Sequence, residues 1–125
     1  MATRNPRTLQ QAGLTASADL SSYQYCAVKS AGSNTVALQT SAGAVVLGVL
    51  QNAPTANLPA EVDVLGPTKV KFGDTVAADA EIMVEATTGR FVTATTGNYA
   101  VGKAINGGAD GEIGEAVLYG NSQLN

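Results

Sequence analysis

Histidine is absent from this chain, and Cys26 is its single cysteine. Those two facts remove much reaction chemistry at the outset. Without an imidazole, a His-based dyad or triad that activates a nucleophile is excluded. An intramolecular disulfide and a His/Cys zinc cluster are excluded as well. Cys26 is followed by Ala27 and Val28 in an alternating segment, which is the setting of a buried, inert thiol. The carboxylates form no better constellation. Glu61 and Asp63 fall on one face of an alternating segment with no apolar neighbour on that side, the pattern of a solvated strand face rather than an acid/base pair. Asp74, Asp79, Glu81 and Glu85 surround a loop. They lack the alternating oxygen ligands, central glycine and final glutamate of a calcium loop. Catalytic, cofactor-binding and metal residues are therefore none, and no cofactor is expected.

Gly107-Gly108-Ala109-Asp110-Gly111 has no following Lys-Ser/Thr and no βαβ unit around it, so it reads as a turn needing positive φ rather than a phosphate loop. Lipoyl and biotinyl domains are also small and all-β, and they carry a modified lysine at a hairpin tip. Here Lys69, Lys71 and Lys103 all fall inside extended segments.

The elements around these residues are strands. The chain has 125 residues, which favours one domain with a lean core. Tyr23–Lys29 alternates, with Tyr23, Tyr25 and Ala27 on one side. Gly32-Ser33-Asn34 turns into the short strand Thr35–Leu38, and Ser41-Ala42-Gly43 turns again. Val45–Leu50 is apolar on both faces, and Gly48 within it signals a bulge or a close backbone approach. Pro54 and Pro59 restrict the loop that follows. Glu61–Leu65 and Thr68–Phe72 alternate on either side of a Gly66-Pro67 turn, with Val70 and Phe72 inward. Ile82–Val84 and Phe91–Thr93 flank the hairpin signal Thr87-Thr88-Gly89. Tyr99–Ile105 and Ile113–Leu118 complete the set, with Val101 and Val117 expected inward. About nine short strands with glycine turns indicate an all-β fold, a small sandwich or a partly open barrel.

Two segments stand apart. Residues 1–18 have Leu9 and Leu14 as their only large apolar side chains after Met1, at no helical spacing, with Pro6 and Gly13 as breaks. They read as an extended N-terminal arm that the fold does not need. The arm holds Arg4 and Arg7 and no acid, whereas the rest of the chain has five basic and ten acidic residues. Arg4, Arg7, Leu9 and Leu14 are thus the candidate contacts with a partner's acidic and apolar surface. Residues 19–119 form the β domain, and 120–125 a polar tail that frays.

Function classes narrow further on charge. The formal net charge is -3 and the basic residues are scattered, so no nucleic-acid stripe is visible. The longest apolar run, Ala44–Leu50, has seven residues, too few for a transmembrane helix. No apolar leader segment is seen. A non-enzymatic domain that binds other protein copies is the expectation.

The order of segments resembles the small capsid decoration, or head cement, proteins of tailed bacteriophages. The resemblance runs over residues 15–119. It rests on Ala18–Lys29, Leu47–Asn52, Ala60–Gly66, Lys69-Val70 with Phe72-Gly73-Asp74, Tyr99–Ala104 and Gly111–Leu118. Each block is weak alone, and their order and spacing carry the likeness. The chain departs from the pattern at Ala77-Ala78-Asp79, where relatives carry Ala-Gly-Asp, and at Cys26, where a bulky residue is common. The resemblance implies a virion protein on the outer surface of an icosahedral head. It implies binding to the major capsid protein, self-association as a trimer, and stabilisation of the shell lattice. Neither nucleic acid nor membrane is an expected partner. Another virion β-domain, such as a tail or spike component, is the alternative. A sandwich, an open barrel and a tulip-like arrangement all remain compatible.

Overall fold

Gly66 and Pro67 do not turn the chain back. They bend a single strand, and the whole architecture follows from that bend. The computed structural model describes residues 8–125. Within them lie ten strands: β1 Leu9–Gln11, β2 Thr15–Ala16, β3 Ala27–Gly32, β4 Thr35–Leu38, β5 Gly48–Leu50, β6 Val62–Lys71, β7 Glu81–Val84, β8 Phe91–Thr93, β9 Tyr99–Ala104 and β10 Ile113–Gln123. They form one open hydrogen-bonded path, β2-β4-β3-β5-β6-β10-β9-β7-β8, with β1 added on β6. Every pairing is antiparallel except β2 with β4. The expected all-β, partly open fold is what the chain adopts.

β6 belongs to both halves of this path. Its first residues pair with β5 (Val49 with Asp63, Leu50 with Val62) and with β1 (Leu9 with Leu65, Gln10 with Asp63). From Gly66 onward it pairs with β10, Gly66 facing Leu118 and Lys71 facing Ile113. Gly66 has φ 91°, a left-handed conformation that costs a residue without Cβ little. The strand thereby passes from one half-sheet to the other through a bend, as at the corners of two-sheet packings.

Alternation along the first half then feeds two cores. Ala27 and Val49 face the larger cluster with Val70, Phe72, Ile82, Val84, Phe91, Val101 and Leu118. Their neighbours Val28, Leu50 and Val62 face the opposite way, into a second cluster with Leu14, Ala16, Leu20, Val36 and Ala60. The first half-sheet is thus an inner layer. One side meets the second half-sheet, and the other is covered by residues 14–20.

Several local expectations are corrected. Tyr23–Cys26 is not strand, because Tyr25 takes φ 69° and the segment folds into turns before β3. β5 is only Gly48–Leu50, and Val45 is exposed. Gly48 does mark a close approach, since a side chain there would collide with the Asp63 carbonyl. Residues 120–123 extend β10 instead of fraying. Leu124 exchanges backbone hydrogen bonds with Gly97 and Asn98, and the Asn121 side chain bonds both N–H and C=O of Val46.

Candidate functional site

Arg4 and Arg7 lie outside the described residues. Leu9 is 56% exposed in β1 and is placed where a partner can reach it. Leu14 is not: it is buried in the second core, so its expected role as a partner contact is corrected. The reason is local pairing. Leu14 C=O accepts from Ala60 N–H, Thr15 N–H donates to Asn34 C=O, and Ala16 N–H donates to Leu58 C=O. These bonds press the segment onto the sheet, so residues 14–18 act as a core cover rather than a detachable extension.

The remaining candidate chemistry does not converge. Cys26 is buried beside a recess of about 200 Å³ lined by Ser22, Tyr23, Thr87, Thr88 and Arg90. Burial pushes its thiol pKa up, and the weaker pull of Lys71 and Arg90 does not offset this. The thiolate needed for nucleophilic attack is therefore disfavoured. Arg90 is engaged elsewhere, 3.2 Å from Asp110 in the one ion pair among the described residues.

Asp63 is a correction to the solvated-face reading. It is buried, accepting from Thr68 Oγ1 at 2.7 Å and from Gln10 Nε2 at 3.1 Å. Thr68 lies just past the bend and Gln10 on β1, so this carboxylate ties the bend and the added strand together. Its face of the strand is the one that Val49 shares, toward the larger core. Glu61 remains exposed. Among the described residues no three Asp, Glu or Cys side chains group as a metal site would require.

What the fold does present is an exposed face on the second half-sheet. Cross-strand partners share a face, so one row runs Glu81–Lys103–Val117–Pro67 across β7, β9, β10 and β6. Beside it lie the pairs Glu115–Lys69 and Ile113–Lys71. Ile105 joins it at the end of β9, where its N–H donates to Glu115 C=O. Ile105, Ile113, Val117 and Tyr119 are between 40% and 53% exposed, so Val117 points outward, against expectation. Asp79, Lys103, Ile105, Val117 and Tyr119 border an open depression of about 370 Å³. Tyr119 Oη donates to Glu81 Oε1 at 2.6 Å. Its phenol is pushed well above the usual tyrosine range, by loss of solvent first and by the Glu81 carboxylate second. Such a face can bind a surface, but it offers no activated nucleophile and no acid/base pair.

No protein-family model and no curated protein matches the sequence of this chain. Among solved structures, it is similar to the N base of head fiber gp8.5 of bacteriophage phi29. The TM-score is 0.69 at 12% identity, over 93% of this chain and 98% of that one. At that identity the likeness establishes a shared fold. It extends over nearly the whole of both chains.

Proposed function

We propose that this chain is a non-catalytic structural protein of a phage particle. It binds the outer surface of an icosahedral head, associates as a trimer there, and reinforces the lattice of major capsid subunits. The observation that carries the reading is the fold shared, nearly end to end, with the base of a phage head fiber. The ordered sequence blocks that resemble head decoration proteins support it independently. So does a surface whose notable feature is an exposed apolar sheet face rather than a reactive cleft. Many weak contacts repeated over a shell supply avidity that no single one has.

A second reading follows the head-fiber neighbour: the chain is the seat of a projecting fiber or spike rather than a cement. Imaging of intact particles of the phage that encodes it separates the two. Density for this domain at hundreds of lattice positions, with nothing extending from it, is the expected result. Density only beneath a projection supports the second reading. A handful of copies at the tail would refute head decoration.

A further inference from the structure

We infer that Asn106-Gly107, in the loop between β9 and β10, is a site of spontaneous deamidation in the folded protein. The Gly107 backbone nitrogen closes a five-membered ring on the Asn106 side chain, and water opens the ring to aspartate or isoaspartate. The reaction does not depend on what the protein binds.

Packing requires both residues. Glu115 N–H donates to Asn106 Oδ1 at 3.0 Å, so the asparagine satisfies a backbone donor beside the Ile105 N–H to Glu115 C=O bond. Gly107 lies against the loop between β6 and β7. A Cβ there would sit 2.4 Å from the Val76 carbonyl oxygen and 3.1 Å from the Ala78 nitrogen, so only glycine fits. Each residue has a structural reason, and together they form a reactive pair.

The local hydrogen bonds favour the attack. Glu115 N–H draws electrons from the side-chain carbonyl and stands where the oxyanion of the tetrahedral intermediate develops. Asn106 is exposed, and its Nδ2 donates to no protein acceptor among the described residues. Gly107 N–H donates to none either, and it is held next to the carbon it attacks by the chain itself. The bond that forms joins Gly107 N to Asn106 Cγ, and the bond that breaks is Cγ–Nδ2. The Gly107 N–H proton passes to solvent, and Nδ2 leaves as ammonia. Water then adds to either ring carbonyl.

The other asparagines lack this combination. Asn52 Nδ2 is held by Pro59 C=O, and Asn121 Nδ2 by Val46 C=O. After Asn57 and Asn98, the N–H groups of Leu58 and Tyr99 donate to the carbonyls of Thr55 and Gly43. Asn34 precedes the β-branched Thr35, and Asn5 precedes Pro6, which has no N–H. The two products at Asn106 also differ. Aspartate keeps an oxygen for Glu115 N–H. Isoaspartate lengthens the main chain just ahead of Gly107, where Val76 leaves no slack. It therefore displaces Gly108 from its paired bonds with Val76, at 2.8 and 2.9 Å, beside Phe72.

The test incubates the full chain, folded, in mildly alkaline buffer and maps the mass gain of deamidation peptide by peptide, with a parallel sample in urea. Asn106 should convert at least about tenfold faster than Asn52 or Asn121, where freeing Nδ2 costs a hydrogen bond and the next residue carries a side chain. It should convert in the folded protein at least as fast as in urea. Conversion no faster than at Asn52 and Asn121, or faster in urea than in the folded protein, would overturn the inference. Asn106→Gln, whose longer side chain closes the ring poorly, should remove the gain from this peptide; a gain that persists there would overturn it too. Asn106→Asp should unfold at the parent's urea midpoint, and protein carrying isoaspartate, separated from the aspartate form, at a lower one. Equal midpoints for the two forms would overturn the assigned effect on the loop.

Discussion

Replacing Leu14 by alanine asks whether residues 14–20 cover a core or wait for a partner. Leu14 is 8% exposed and packs with Leu20, Val28, Val36, Leu50 and Val62. The change removes three carbon groups, worth about 0.8 kcal/mol each, or roughly 2.4 kcal/mol of transfer energy. The hole that remains adds to this. The backbone on either side is pinned by the bonds from Ala60 N–H and from Ala16 N–H, so the site cannot fully collapse. The total expected cost is about 2.5–4 kcal/mol. With a urea slope of about 1–3 kcal/mol per molar, the midpoint should fall by roughly 1–4 M. Leu9→Ala, at a position 56% exposed, is the control and should stay within about 0.5 kcal/mol of the parent. The chain has no tryptophan and four tyrosines, so circular dichroism is the better probe of unfolding. A Leu14→Ala midpoint no lower than that of Leu9→Ala would refute the two-core description.

Further outcomes are expected. A variant lacking residues 2–7 should unfold at the parent's midpoint yet bind heads more weakly at low salt, through loss of Arg4 and Arg7; equal binding would remove those residues from the contact. Val101→Ala, at a 2% exposed position, should cost about 1–3 kcal/mol by chemical denaturation, whereas Val117→Ala should lie within about 0.5 kcal/mol of the parent. Cys26 should resist alkylation in the native protein at neutral pH and react once urea unfolds it; rapid native labelling would contradict its burial and raised pKa. Tyr119 should ionise above the ordinary tyrosine range in an absorbance titration, and Glu81→Gln should lower its pKa in part, because loss of solvent is the larger cause. Since the folded pKa is raised, the linked stability is fully present below the ordinary tyrosine pKa and is lost as pH rises toward the folded value.

Period-two alternation made the later strands legible. β4, β7, β8 and β9 lie within a residue of where the pattern puts them, and the turns at Gly32–Asn34 and Thr87–Gly89 are where glycine punctuates it. Misreadings arose where pairing partners decide. Gly66-Pro67 looks like a stop, but β5 and β10 hold the residues on either side in ladders, so the chain bends and continues. Asp63 alternates with the exposed Glu61, and nothing local reveals that Thr68 and Gln10 will close over it. The arm looked dispensable because Leu14 stands alone in sequence. Its burial depends on Val28, Leu50 and Val62, supplied by strands far along the chain. The outward face is legible only in part, since alternation puts Lys69 and Lys71 outward but gives no sign that Val117 joins them.

The Val117 misreading follows from size. In β10 Ile113, Glu115 and Val117 alternate with Gly114, Ala116 and Leu118, and the β-branched pair makes the first row look like the buried one. The structure buries the second row, and Gly114 in it leaves the room that Phe72 needs. A Cβ on Gly114 would lie 2.5 Å from Phe72 Cε2, and one on Gly102 would lie 2.5 Å from the Val117 carbonyl oxygen. Neither contact is tolerable, so small residues on this inner face are a condition of packing Phe72 against β10 and β9 against β10. With Phe72 filling the interior at the start of β10, the inner face has no room for a branched side chain at Gly114, and it takes one only farther along, at Leu118. Ile113 and Val117 are therefore left on the surface by the same constraint that closes the core. They meet Lys71 and Lys103 there across the ladders, and core packing thus generates the apolar, lysine-edged face.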